Sequence, residues 1–132
     1  MGVVICGLLL ATPCTSFAVN ESKIQADLNE FVYQYVAKAN KRMTVNRARP
    51  QIIKRGSVYV ATFTEIDQQT VSAQMRKSNS KHFDYVATLR YEERTFESEG
   101  KTRKEATNGK FRCVKVRKLT ELPRYVRGKW EN

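Results

Sequence analysis

Residues 22–41 read SKIQADLNEFVYQYVAKANK, and this stretch decides the fold. Ile24, Leu28, Phe31, Val32, Tyr35, Val36 and Ala39 recur at steps of three and four, so on a helix they share one broad face. Ser22 and Gln25 match an S-x-x-Q capping box, which places the expected helix start at Ser22. Lys38, Lys41 and Arg42 stand near the other end, where cations suit the partial negative charge of the last carbonyls. Neither Pro nor Gly interrupts the stretch. An apolar stripe this wide needs a broad partner. The polar face carries Glu21, Asp27 and Glu30, which an anionic lipid surface would repel, so the expected partner is the chain's own sheet.

Downstream the hydrophobic period changes to two. Val58, Val60 and Thr62 alternate with Tyr59, Ala61 and Phe63, which predicts a strand over 57–66. Asp67-Gln68 is expected to turn the chain, with 70–76 returning as a second strand. Ser78-Asn79-Ser80 is a loop signal. Tyr85, Ala87, Leu89 and Tyr91 then alternate with Val86, Thr88, Arg90 and Glu92, predicting a long strand over 82–97. The polar run 99–109 reads as an exposed hairpin connection. A strand over 111–119 would put Val114 and Val116 on one face and Lys115 and Arg117 on the other. Pro123 interrupts it, 125–130 forms a short last strand, and 51–54 pairs at an edge. One helix followed by antiparallel strands implies an α+β fold: an N-terminal amphipathic helix packed in a curved antiparallel sheet of about four to five strands.

The N-terminus carries a different signal. Residues 3–11 are the apolar run VVICGLLLA, and Ser16-Phe17-Ala18 resembles a cleavage site with small residues at both recognition positions. No Lys or Arg precedes the run, and it is shorter than the roughly 20 apolar residues that span a bilayer. Residues 1–18 are therefore expected to be an export signal cleaved after Ala18, leaving 19–132 as a single periplasmic or extracellular domain. Cys6 and Cys14 would leave with the signal, so Cys113 would stand alone without an intramolecular disulfide, as a small apolar filler in a strand. The single histidine and the lack of a CxxC pair exclude a Cys/His zinc site within one chain. No Gly-rich phosphate loop or G-x-S-x-G occurs, so neither metal nor cofactor is expected.

The element order resembles the cystatin-like and NTF2-like α+β rolls. The closing stretch 124–130, RYVRGKW, is similar to the last strand of many NTF2-like proteins, which often ends in Gly-Lys-Trp. That resemblance implies a pocket between helix and sheet, with Tyr35, Phe63, Tyr85, Leu89 and Trp130 as its lining. NTF2-like members usually carry further helices that this chain lacks, which implies a shallow or filled pocket. The cystatin side of the resemblance points to Gln69-Thr70-Val71-Ser72-Ala73, which matches the inhibitory Q-x-V-x-G hairpin at Gln69 and Val71 but has Ala73 where Gly is expected.

Catalytic candidates are few. His82 and Asp84 would share a strand face if the strand began there, although Ser80 and Lys81 read as solvent-exposed neighbours. Glu92, Glu93, Glu97 and Glu99 are expected to make cross-strand pairs with cations such as Arg90, Arg94, Lys101 and Arg103. Charge is the stronger lead. The chain has 24 basic and 13 acidic residues, a formal net charge of +11, all within 19–132. Such a balance favours an anionic polymer, an anionic membrane surface or an acidic protein. Strand alternation would array Lys115 and Arg117 beside Arg127 and Lys129 on an outer face, and these four are the expected anion contacts. No nucleic-acid-binding motif accompanies them. Homodimerisation through the outer sheet face would compete for the same surface. The favoured expectation is an exported, non-catalytic binding or accessory domain. An NTF2-like small-molecule binder or enzyme and a cystatin-like protease inhibitor are the alternatives.

Overall fold

The computed structural model describes residues 15–132. The apolar run at 3–11 lies outside them. Among the described residues no helix is long and apolar enough to cross a membrane. The elements in chain order are α1 (Thr15–Arg42), β1 (Gln51–Arg55), β2 (Val58–Lys77), β3 (Tyr85–Gly100), α2 (Arg103–Asn108), β4 (Arg112–Glu121), β5 (Arg124–Val126) and β6 (Lys129–Glu131). All six strands belong to one antiparallel sheet in the order β1-β2-β3-β5-β6, with β4 also on β3. The fold is thus α+β, with one long helix against a six-stranded sheet.

The helix stripe packs as its spacing predicts. Ile24, Leu28, Val32 and Val36 are buried against Ile66, Ala87, Leu89, Tyr91 and Trp130. Phe31, Tyr35 and Ala39 pack at the margin of this core. The start differs from expectation. Helix α1 begins at Thr15, so Ser22 sits inside it and caps nothing. The residues around the expected cleavage site, Ser16 to Ala18, are part of the same helix. Glu21 reaches Lys77 near one end, and Asn40 reaches Ile66 near the other, so α1 runs antiparallel to β2.

Three corrections concern the strands. Asp67-Gln68 does not reverse the chain. Strand β2 continues for 20 residues through a bulge between Asp67 and Ser72. The Thr70 side chain explains why the ladder survives the insertion: its Oγ1 accepts the Glu92 amide (3.0 Å) and donates to the Asp67 carbonyl (2.7 Å). The expected last strand is a hairpin, β5–β6, turned by Arg127 (φ 52°) and Gly128 (φ 81°), the paired positive φ of a tight two-residue turn. The polar connection after β3 contains α2, whose Ala106 is fully buried and whose Thr102 caps the Glu105 amide.

Lengths explain the second, smaller core. At 1.5 Å per residue α1 is about 42 Å long, whereas β2 at about 3.3 Å per residue approaches 66 Å. The helix therefore leaves the far end of the sheet uncovered. There Phe63, Phe96 and Phe111 cluster on the opposite face, with centroids 5.2 Å and 5.0 Å apart, beside α2. Arg47 lies over Phe63 at 4.8 Å. The bulge makes this possible by shifting the parity. Ile66 faces α1 before it, Val71, Ala73 and Met75 after it.

Beyond β1 the edge of β2 has no strand neighbour among the described residues, and Asn40 takes that place at one residue. Its amide donates to the Ile66 carbonyl (3.1 Å) and accepts the Ile66 amide (2.8 Å). Asn40→Ala is expected to cost about 1–3 kcal/mol, because two part-buried backbone groups lose their partner. Urea unfolding checks this, and an unchanged midpoint would show that water serves Ile66 equally well.

Candidate anion-binding face

Register fixes which side chains share the face turned away from α1. Arg76, Val86 and Arg124 form one row across β2, β3 and β5. Ser72, Arg90 and Thr120 form another across β2, β3 and β4, and Glu92 with Lys118 the next. Arg76, Arg90, Lys118 and Arg124 are all exposed, and none makes an ion pair among the described residues. The acids of this face are largely engaged: Arg94 binds Asp67 (3.0 Å) and Glu92 (2.9 Å). Glu131, opposite Arg124 on β6, makes no ion pair with it. Thr88, Gln74, Ser72 and Thr120 stand between the cations, and the exposed Val116 and Leu122 lie at the margins, so the centre of the surface is basic and hydrogen-bonding.

The four residues expected from sequence do not converge. Lys115 and Arg117 alternate with Leu119 opposite Tyr91, so they project on the helix side of the sheet. Arg117 is neutralised there by Glu93 at 2.7 Å. Arg127 occupies the β5–β6 turn. Lys129 alone joins the outer face, opposite Val126. Along β3 the partner of Arg117, Glu93, is seven residues from the partner of Arg124, Val86, a separation of about 24 Å.

The pocket lining implied by the NTF2-like resemblance is also redistributed. Leu89 and Trp130 are buried in the α1 core, with Tyr35 and Tyr85 packed against it. Trp130 Nε1 donates to the Ile24 carbonyl at 3.1 Å. Leu89 and Trp130 fill the centre between helix and sheet, and clefts remain beside it: one of about 240 Å³ lined by Val32, Val36, Val71 and Ala73, and one of about 410 Å³ lined by Ile24, Tyr85 and Tyr125. Phe63 belongs to the opposite face, because it lies before the bulge and follows the other parity. The Q-x-V-x-G-like stretch Gln69 to Ala73 spans the bulge, so no hairpin tip is formed there.

The remaining candidates have plain structural settings. His82 and Asp84 lie in the loop before β3, and both are exposed. The carboxylates of the β3 end are paired as expected in kind, with largely different partners: Glu93 with Arg117, Glu97 with Arg55, and Glu99 with Arg112. Cys113 is exposed rather than buried, because β4 is an edge strand with both faces open near it. Among the described residues no group of three His, Cys, Asp or Glu side chains is placed to hold a metal.

One polar cluster ties the C-terminal region to the helix. Tyr91 donates to Glu121 (3.0 Å), while Asn132 donates to Glu121 (2.8 Å) and to the Tyr35 hydroxyl (3.3 Å). Burial, then the hydrogen bond and charge of Glu121, push both phenols above the ordinary tyrosine value of 10.0. The folded state thus favours the neutral phenol. Its stabilising contribution is complete below pH 10 and is lost as pH rises through the elevated folded values. Urea midpoints measured from pH 8 upward should fall above pH 10, and Tyr91→Phe should make that fall shallower. An identical alkaline slope in the variant would remove Tyr91 from the linkage.

No family model, curated protein or solved structure matches the chain.

Proposed function

We propose that this protein is an exported, non-catalytic binding or accessory domain of cystatin/NTF2-like roll shape, which presents the outer sheet face to an anionic partner. The observation that carries this reading is the set of four exposed cations, Arg76, Arg90, Lys118 and Arg124, which share one face with neutral polar side chains and make no ion pair among the described residues. The burial of Leu89 and Trp130 in the core favours it over an enclosed small-molecule pocket at that position. The unformed hairpin at Gln69 to Ala73 favours it over insertion into a protease cleft. Like charge also weighs against the same face as a homodimer interface, because two copies would bring their arginines together.

Heparin is a suitable probe for a polyanion partner. Affinity should fall steeply and linearly in logarithmic terms with salt, as bound counterions are released on association. Failure to bind at low ionic strength would contradict the reading.

A further inference from the structure

We infer that the loop end of the outer face is a phosphoryl-binding cleft, selective for a phosphate monoester carried on an apolar or aromatic body. The inference rests on the reading of that face as an anion surface and assigns its ligand chemistry. The cleft has a volume of about 470 Å³ and is lined by Arg76, Ser78, Ser80, Phe83 and Arg124, with Val86 in its floor.

The two arginines flank Val86 from the strands on either side of it. At about 4.8 Å per strand their Cα atoms are about 10 Å apart, a spacing from which two arginine side chains can close onto one anion. The Arg124 guanidinium lies 5.8 Å from the Phe83 ring centroid. Val86, only 8 % exposed, provides an apolar base beneath.

The loop adds donors. Ser78 Oγ accepts the Ser80 amide (3.0 Å), and Ser80 Oγ accepts the His82 amide (3.1 Å). Both bonds use oxygen lone pairs, so both hydroxyl hydrogens stay uncommitted. The Ser78 amide donates to the Asp84 carbonyl (2.9 Å), which holds the loop in this form. Asp84 does not line this cleft; it lines the neighbouring one on the helix side, which shares Ser78, Ser80 and Phe83 with it.

Two planar guanidinium forks and two hydroxyls offer more donors than the two oxygens of a carboxylate can use. A phosphate monoester, with up to two negative charges and three strong acceptor oxygens, matches them better. Phe83, Leu122 and Val86 then offer contact to an apolar ester group. Such a group occurs on soluble aryl phosphates and on the phosphatidic acid headgroup.

Isotope-labelled protein titrated with phenyl phosphate and with benzoate at constant ionic strength tests the assignment. Phenyl phosphate should give saturable amide shifts centred on Ser78, Ser80 and Val86, and bind about tenfold or more tightly than benzoate. Arg76→Gln and Arg124→Gln should each weaken it about tenfold or more. Lys115→Gln, on the other face, should leave it unchanged. Equal binding of benzoate, unsaturable shifts, or full affinity in both arginine variants would overturn the cleft. Heparin binding separates the two levels. Its persistence when phenyl phosphate fails rejects the cleft alone, whereas loss of both rejects the anion face as well. Phosphatidylcholine vesicles doped with phosphatidic acid or with phosphatidylserine identify the source. Preferential retention on phosphatidic acid supports the lipid headgroup, and phenyl phosphate binding without such preference supports a soluble ester.

Discussion

Replacing Trp130 with alanine is expected to lower the stability of the fold by about 3–5 kcal/mol. The ring is 6 % exposed, sits with Ile24 and Leu28 in the α1 core, and packs on Tyr125 at 5.4 Å. Its Nε1 donates to a carbonyl of the helix, so one side chain joins the last strand to the first element. Strand β6 has only three residues and pairs only with β5, which is equally short. The other ties of the hairpin are the two-residue pairing of β5 with β3 and the Asn132 bonds to Glu121 and Tyr35, and none of them fills the volume of the indole ring. A loss of this size is a large fraction of the roughly 5–15 kcal/mol of a typical domain. Trp130→Phe keeps most of the ring and loses the hydrogen bond, so its cost should be smaller. Urea unfolding of both variants gives the comparison. A loss under about 1 kcal/mol for Trp130→Ala would show that the hairpin is peripheral to the core.

The second large effect concerns binding. Each Lys or Arg close to an anionic surface contributes about 1 kcal/mol. Changing Arg76, Arg90, Lys118 and Arg124 together to Gln should therefore cost about 4 kcal/mol, two to three powers of ten in affinity. The salt dependence should flatten in parallel, since fewer counterions are released. All four side chains are exposed and make no ion pair among the described residues, so stability should change by no more than about 0.5 kcal/mol. An unfolded variant, detected by circular dichroism, would instead reveal a structural role for the arginine stems over Val86.

The helix was legible because the apolar stripe from Ile24 to Ala39 meets one partner, and a 3.6-residue period carries that information locally. Its start was not, because a capping-box pattern at Ser22 and Gln25 also fits within a longer helix. The individual strands were mostly legible from alternation. What alternation cannot reveal is a parity change inside one strand. The insertion between Asp67 and Ser72 puts Phe63 and Ala73, both odd-numbered, on opposite faces. That single shift moved Phe63 out of the expected pocket lining.

The composition of the proposed face depends on long-range register, which no local pattern encodes. Arg117 and Lys118 are neighbours in sequence, yet only Lys118 lies on the outer face, because Leu119 turns inward opposite Tyr91. Part of the signal was nevertheless present. Arg90 alternates with Leu89 and Tyr91, and Arg76 follows the apolar Val71, Ala73 and Met75, so both were assignable to the side opposite the core. Arg124 needed the pairing with Val86, which only the folded chain supplies.

The most direct test sets two neutralised proteins side by side against heparin across a salt series. One carries Gln at Arg76, Arg90, Lys118 and Arg124, the other at Lys115, Arg117 and Arg127 and at Lys38 on α1, none of them on the outer face. Both lose four positive charges, so net charge cannot distinguish them. The outer-face set should lose the larger part of the affinity and of the salt dependence, while the second set retains most of both. Equal losses would show that binding follows total charge rather than this face, and a greater loss in the second set would place the partner elsewhere on the molecule.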